Sequence, residues 1–283
     1  MYPERFLLHG ISGVYNYGCE AIVRGTVEVL QGEFPDVPVI YLSKRPEEDR
    51  RALSDCPVRV MDNSPYPRLH PRRALPAMLR RLQLPLEGPW RERFRDYRPK
   101  DCVLSIGGDI FTLGPGPYPT RVNVPPINHI RHVREVGSTV VLWGASVGPF
   151  EAWPQSVPVY REFLGKFDLI IVREPKSHRY LKKLGVEKNV VFAADPAFLM
   201  EPKVMEEDWP FGPDERPVLG VNLSPLSARY AYEIEDLATI IEAQSLELYQ
   251  IADALGVYLL LIPHVIAPHN IKDDDYRYLK AIH

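Results

Sequence analysis

The chain has 283 residues, 45% of them hydrophobic and 25% charged, an ordinary globular composition long enough for two domains. Its 34 Lys and Arg stand against 37 Asp and Glu, and the formal net charge of −3 argues against nucleic acid as a partner. The three cysteines, Cys19, Cys56 and Cys102, are too far apart for a zinc or disulfide framework and suit a reducing cytoplasm; no run approaches the roughly 20 apolar residues of a membrane span.

Taken in order, Arg5 to Ile11 reads as a first strand that opens into Asn16-Tyr17-Gly18. Glu20 to Phe34 places Ile22, Val23, Val27, Leu30 and Phe34 on one helical face, and Pro35-Asp36 ends the helix. Val37 to Leu42 is a strand, Glu47 to Leu53 a short helix and Val58 to Met61 a further strand. The stretch 63–101 breaks the rhythm. It is rich in proline and holds nine arginines, Arg68, Arg72, Arg73, Arg80, Arg81, Arg91, Arg93, Arg95 and Arg98. It reads either as a solvated surface excursion or as a lid or docking face for an anionic or membrane-linked substrate, through which the chain would touch a membrane peripherally.

Alternation returns at Cys102. A strand through Val103-Leu104-Ser105-Ile106 ends in Gly107-Gly108-Asp109. A helix spans Pro126 to Val136, a strand Ser138 to Trp143, a helix Val159 to Phe167 and a strand Leu169 to Val172. A helix from Pro175 to Leu184 is closed by Gly185, and a strand from Val190 to Ala193 leads to Asp195-Pro196. This order predicts an α/β domain over residues 1–200 with a parallel sheet. Residues 201–215 read as a linker. A second α/β unit over 216–283 has a strand Val218 to Leu223 ending at Ser224-Pro225, and one long helix from Glu233 to Leu255 capped by Gly256. A strand from Tyr258 to Ile262 then ends at Pro263-His264, and a final helix runs from Tyr276 to Ile282. Two strands do not make a covered parallel sheet, so this unit reads as incomplete and the chain as a fragment.

The residues with chemistry cluster at strand ends, where open α/β sheets bind ligands. The pivotal stretch is Gly144-Ala145-Ser146-Val147-Gly148-Pro149. Its glycines permit close backbone approach, and free N–H groups in such a turn cradle anions. Gly107 and Gly108 repeat this grammar, with Asp109 placed to orient a hydroxyl or to brace its own loop. Arg173 ends a strand and offers a planar fork to phosphate or carboxylate; the alternative is a surface ion pair with Glu174. Lys176 and Ser177 follow on the next helix, Lys176 facing either the ligand or solvent. Asp195 binds or caps a turn. His264 ends a strand of the second unit and reads either as a structural histidine or as a binding or proton-transfer group, with His269 weaker. Arg229 is a further candidate cation. Asp273, Asp274 and Asp275 read as a helix start rather than a metal site, so no metal is expected.

The ordered set Asn16-Tyr17-Gly18-Cys19-Glu20-Ala21, Gly107-Gly108-Asp109, Gly144 to Pro149, Val172 to Ser177, Ala194-Asp195-Pro196, Asn222-Leu223-Ser224 and Leu261-Ile262-Pro263-His264 resembles the polysaccharide pyruvyl transferase family. The resemblance implies two Rossmann-like domains arranged as in GT-B glycosyltransferases. It also implies transfer of the enolpyruvyl unit of phosphoenolpyruvate to a sugar or lipid-linked saccharide, as a ketal and with no cofactor, in the cytoplasm or at the inner face of the membrane. Asn16, Gly18, Glu20, Gly107, Gly108, Asp109, Ser146, Gly148, Lys176, Ser177, Asp195, Ser224 and Arg229 are then expected to bind substrate, and His264 and Arg173 to act in catalysis. The family's Asn-x-Gly-Asp has Cys19 in place of the aspartate, with Glu20 beside it. Nothing after His264 matches the family's later Arg-x-His segment. The competing expectations are a nucleotide-sugar glycosyltransferase on the same architecture and a non-catalytic glycan-binding member.

Overall fold

A computed structural model describes residues 2–67, 70–71, 94–114, 118, 125–201, 216–232 and 236–283; of 125–128 and 229–232 only the backbone is described. The arginines at 68, 72, 73, 80, 81, 91 and 93 and most of the expected linker lie outside the described residues. The chain divides into two compact units, Met1–Val14 with Cys19–Met200, and Tyr15–Gly18 with Glu201–His283. Residues 15–18 thus group with the second unit, where the sequence reading had placed them in the first.

The first unit is built on seven parallel strands: β1 Arg5–His9, β2 Val39–Ser43, β3 Arg59–Asp62, β4 Asp101–Ile106, β5 Thr139–Ala145, β6 Leu169–Val172 and β7 Val190–Phe192. They lie in the order β3-β2-β1-β4-β5-β6-β7. The strands are short continuous apolar runs because both faces of the sheet are covered. One face meets the cluster around Leu7, Val103, Phe111, Val140 and Ile170. The other meets the cluster around Leu8, Val23, Tyr41, Leu104 and Ile106. The helices α1 Tyr17–Glu33, α2 Pro46–Ala52, α3 Pro125–Glu135, α4 Val157–Leu164 and α5 Pro175–Leu184 connect the strands. In α1, Ile22, Val23, Thr26, Val27 and Leu30 form the buried face. Gly25 lets that helix press onto the turn 196–199, since a Cβ there would sit 1.9 Å from the Pro196 carbonyl oxygen. Gly185 closes α5 in the left-handed conformation, as its position foretold.

Sheet order decides where a site forms. The chain runs outward through β1, β2 and β3, then crosses back to lay β4 against β1, in register from Arg5↔Asp101 to His9↔Ser105. The switch point therefore lies between β1 and β4, and the carboxyl ends of β4, β5, β6 and β7 follow side by side. Strand β5 runs two residues further than expected. It slips register between Leu142 and Ala145, where Gly144 takes a φ of 64°, and this irregularity delivers Ser146 to the sheet edge.

The second unit holds β8 Val218–Val221 and β9 Tyr258–Leu261, paired in parallel, with α6 Pro225–Tyr232, α7 Leu237–Leu255 and α8 Asp275–Ile282. Its core gathers Ala228, Ile240, Tyr278, Leu279 and Ile282. The long helix expected over Glu233 to Leu255 is α7, which begins at Leu237, and α6 precedes it. Proline 225 starts α6 at once after β8, and Asp236 caps α7 by accepting the Ala238 N–H.

Candidate functional site

Four consecutive strand ends of the first unit converge on Arg173. This residue follows β6, and its side chain turns toward the loop after β7 rather than toward its chain neighbour. Its Nη1 donates to Asp195 Oδ2 at 2.7 Å, and its Nε to Ser146 Oγ at 3.1 Å. The expected alternative pairing with Glu174 does not form, because Glu174 Oε1 accepts from Ser177 Oγ at 2.8 Å. The guanidinium lies directly on Gly108: a Cβ on that residue would sit 2.4 Å from Nη2 and 2.6 Å from Nη1. The loops after β4, β5, β6 and β7 thus meet at one cation. Two of the five guanidinium donors are engaged by Ser146 and Asp195, and the side chain keeps 29% of its surface exposed. Such a fork, fixed on one side and open on the other, suits a bidentate carboxylate or phosphate.

The backbone beneath it is tightly drawn. Ser146 N donates to Gly108 O at 2.7 Å, and Gly148 N donates to Phe111 O at 2.9 Å. Gly107 has a φ of 128° and is confined by Ile11 and Ile110. Gly148 has a φ of 73° and lies against the Tyr180 ring, whose Cε1 a Cβ would approach to 2.2 Å. These glycines are required by packing. Ser177 is buried; its Oγ accepts from Val147 N at 2.8 Å and so braces the loop. Lys176 is exposed on α5. Asp109 is exposed, and its carbonyl accepts from both the N–H and the hydroxyl of Thr112.

Glu20, one position past Cys19, turns its carboxylate to its own helix. It forms an i,i+4 pair with Arg24 at 2.8 Å, and Arg24 also reaches Asp55. Cys19 faces carboxylates instead. Burial, then the charges of Asp109 and Asp49, pushes its thiol up to about 11, so it stays protonated at neutral pH. Asp49 is itself buried, with Oδ1 accepting from Val14 N at 3.1 Å and Oδ2 from Ser43 Oγ. Burial raises both its pKa and that of the adjacent Tyr41.

The second unit brings together Asn16, Gly18 and His264. Asn16 Oδ1 accepts from Gly18 N at 2.9 Å. His264 is exposed, and its ring lies close to residue 18, with Nε2 2.9 Å from where a Gly18 Cβ would stand. Backbone bonds hold the two segments together: Tyr17 N to His264 O at 3.1 Å and Ile266 N to Tyr15 O at 3.2 Å. Ser224 Oγ accepts from Leu226 N at 3.2 Å and so caps the first turn of α6. The side chain of Arg229 lies outside those described. His269 packs edge-on against Tyr15, ring centroids 4.8 Å apart. Among the described residues no group of three or more His, Cys, Asp or Glu is arranged to hold a metal, and no helix is long and apolar enough to cross a membrane.

Two features escaped the sequence reading. Asp275 stands at the helix entry that the sequence predicts, yet it is 1% exposed and accepts from His264 N and Val265 N at 3.1 and 2.9 Å. His9 and His129 lie buried with ring centroids 4.4 Å apart, flanked by Ser105 and Tyr97. Only the placement of His9 at the end of β1, on the switch point, signalled the second.

A family model for polysaccharide pyruvyl transferase matches residues 16–282. The chain belongs to this family. No curated protein matches it in sequence. Among solved structures it is similar to a 2.2 Å crystal structure of a protein described as a UDP-N-acetylglucosamine 2-epimerase from Listeria monocytogenes, at 11% identity and a TM-score of 0.50. That alignment covers 100% of this chain and 66% of the other, so the chain spans slightly less than two thirds of that structure. At this identity the likeness concerns the fold alone, and that fold is the GT-B-like α/β architecture expected for the family.

Proposed function

We propose that this pyruvyl transferase family member moves the enolpyruvyl unit of phosphoenolpyruvate onto a sugar of a polysaccharide or its lipid-linked precursor, forming a pyruvate ketal. Family membership supports the reaction class. The observation that carries the donor assignment is the Arg173 guanidinium, seated on Gly108 and braced by Ser146 and Asp195 at the ends of four adjacent strands. Phosphoenolpyruvate is doubly anionic, and a preformed fork with open donors matches its carboxylate or phosphate.

In this reading the chemistry needs side chains and no cofactor. A proton is delivered to the methylene carbon, which becomes the methyl group, while one sugar hydroxyl adds to the neighbouring carbon and gives up its proton. A second hydroxyl then displaces phosphate from that carbon and closes the ketal, its proton leaving with phosphate or to a base. His264 is assigned the proton delivery, because it is exposed among the described residues and lies just past a strand end. The saccharide is met in the cytoplasm, with the basic stretch 63–101 as the candidate contact to an anionic or membrane-linked acceptor.

The test is direct. The chain is incubated with phosphoenolpyruvate and a panel of hexopyranosides bearing neighbouring hydroxyls, and acceptor-dependent phosphate release is followed together with the new ketal methyl signal in proton NMR. Both signals are expected with at least one acceptor. A thermal-shift series in which UDP- or GDP-sugars stabilise the fold and phosphoenolpyruvate does not would overturn the donor assignment in favour of a nucleotide-sugar transferase.

A further inference from the structure

The exposed His264 ring stands at a defined place although its side chain makes no hydrogen bond within the described residues of its unit. Its position is set through its backbone. On one side, His264 O accepts from Tyr17 N, and Val265 bridges Asn16 in antiparallel fashion. On the other side stands Asp275, the first residue of α8. One carboxylate oxygen, Oδ2, accepts from both His264 N and Val265 N, and the Asp275 N–H donates to Val265 O at 3.0 Å. The loop after β9 is thereby clamped to the start of α8 by three bonds involving one residue. Capping of α8 is done by a different group, since Asp274 supplies the N-cap carboxylate, and so Asp275 is spared for the clamp. The other oxygen, Oδ1, is buried without a hydrogen-bond partner among the described residues. Burying an oxygen unpaired is costly, and a residue that needed only to start a helix would not require it.

We infer that Asp275 is the positioning residue for His264: its carboxylate, accepting two successive backbone N–H groups, fixes the ring over Gly18. This rests on the reading in which His264 delivers the proton. Loss of the carboxylate removes two of the bonds that hold the 264–265 backbone, and the ring shifts with it. Misplacement by about 1 Å costs on the order of a hundredfold in rate. Asparagine at 275 separates geometry from charge. It retains one oxygen for the two backbone amides and puts an NH₂ where Oδ1 now has no partner.

The experiment uses the full chain as wild type, Asp275→Ala, Asp275→Asn, His264→Ala and the double Asp275→Ala/His264→Ala. Histidine-selective NMR follows the His264 ring, assigned by its absence in His264→Ala, and kinetics with phosphoenolpyruvate and an acceptor follow kcat and KM. In Asp275→Ala the His264 resonance is expected to shift and broaden, with kcat reduced about ten- to hundred-fold and the donor KM changed less than about threefold. Asp275→Asn is expected to keep the resonance in place and to recover most of the lost kcat. In the His264→Ala background, Asp275→Ala is expected to cost no further rate. An unmoved His264 resonance in Asp275→Ala, or an equal loss of rate with and without His264, overturns the inference. If the alanine variant fails to fold, the asparagine variant decides alone, and a displaced resonance in it is the overturning result. If wild type shows no turnover, the ketal reading fails while the NMR arm still decides whether Asp275 places the ring.

Discussion

Gly108→Ala is the sharpest perturbation of the anion site, because it moves a cation without removing it. A Cβ at 108 would stand 2.4 Å from Arg173 Nη2, while ordinary contact begins near 3.4 Å, so the guanidinium must retreat by about 3.4 − 2.4 = 1.0 Å. The atoms that must give are the far end of a flexible side chain, and Gly108 does not need the left-handed region that Gly107 occupies. The backbone therefore tolerates alanine. Retreat strains the 2.7 Å bond to Asp195 and the 3.1 Å bond to Ser146. Losing one such bond on a partly exposed arginine costs about 1 kcal/mol, a fall of roughly 2–4 °C in melting temperature for a protein of this size. The donor suffers more. A fork displaced by an ångström no longer meets a carboxylate bidentately, and affinity for phosphoenolpyruvate is expected to fall about ten- to hundred-fold, or about 1.4–2.8 kcal/mol. Isothermal titration of the variant against wild type, at matched ionic strength and with a melting curve as control, measures both. Unchanged donor affinity in a folded variant would refute the reasoning, since the position of the guanidinium would then be irrelevant to the ligand.

Two further perturbations probe the same unit. Arg173→Lys keeps the charge and loses the fork, so donor affinity is expected to fall about tenfold, whereas Arg173→Ala also takes from Oδ2 of the 11%-exposed Asp195 side chain its charged partner and is expected to lower the melting temperature by several degrees, about 2–4 °C per kcal/mol. Wild-type binding and melting in both would remove Arg173 from the site and from the brace. Asp49 has a raised pKa through burial, so the folded state holds its proton more tightly than the unfolded chain does. The stability it contributes is present in acid and is lost as pH rises from about 3.8 through the folded value. The urea midpoint of wild type relative to Asp49→Asn should therefore decline across that window, and a difference independent of pH would show that the carboxyl titrates normally.

The parallel sheet was legible because its strands are covered on both faces and read as short apolar runs between turn residues. The caps at Gly185 and Gly256 were legible for a local reason, since a left-handed residue after a helix favours glycine. What misled was a local signal outweighed by a longer pattern. Asp236 before Leu237 is an ordinary N-cap, but the apolar periodicity around it invited a helix start at Glu233. The partner of Arg173 was hidden for a non-local reason. Glu174 is its neighbour in the chain, yet the residue just past β6 and the one after it project to different sides. Only the order β5-β6-β7 brings Asp195, twenty-two positions further on, within 2.7 Å.

The candidate list sorts itself by what the nearby backbone has already claimed. Asn16, Asp195 and Ser224 each accept the N–H two residues on, from Gly18, Ala197 and Leu226, which is the preferred local bond of these side chains in turns. The Ser224 hydroxyl accepts one bond in its turn and keeps its own proton to donate. A carboxylate has a second oxygen. Asp195 spends one on its turn and the other on Arg173, and so couples loop shape to the placement of a cation. Asp275 reaches the same end by another route, placing both backbone bonds on a single oxygen. In each unit a carboxylate more covered than the residue first suspected of chemistry holds that residue in place. A sequence reading sees the arginine and the histidine at strand ends; the acids that aim them become visible only once the strand order is known.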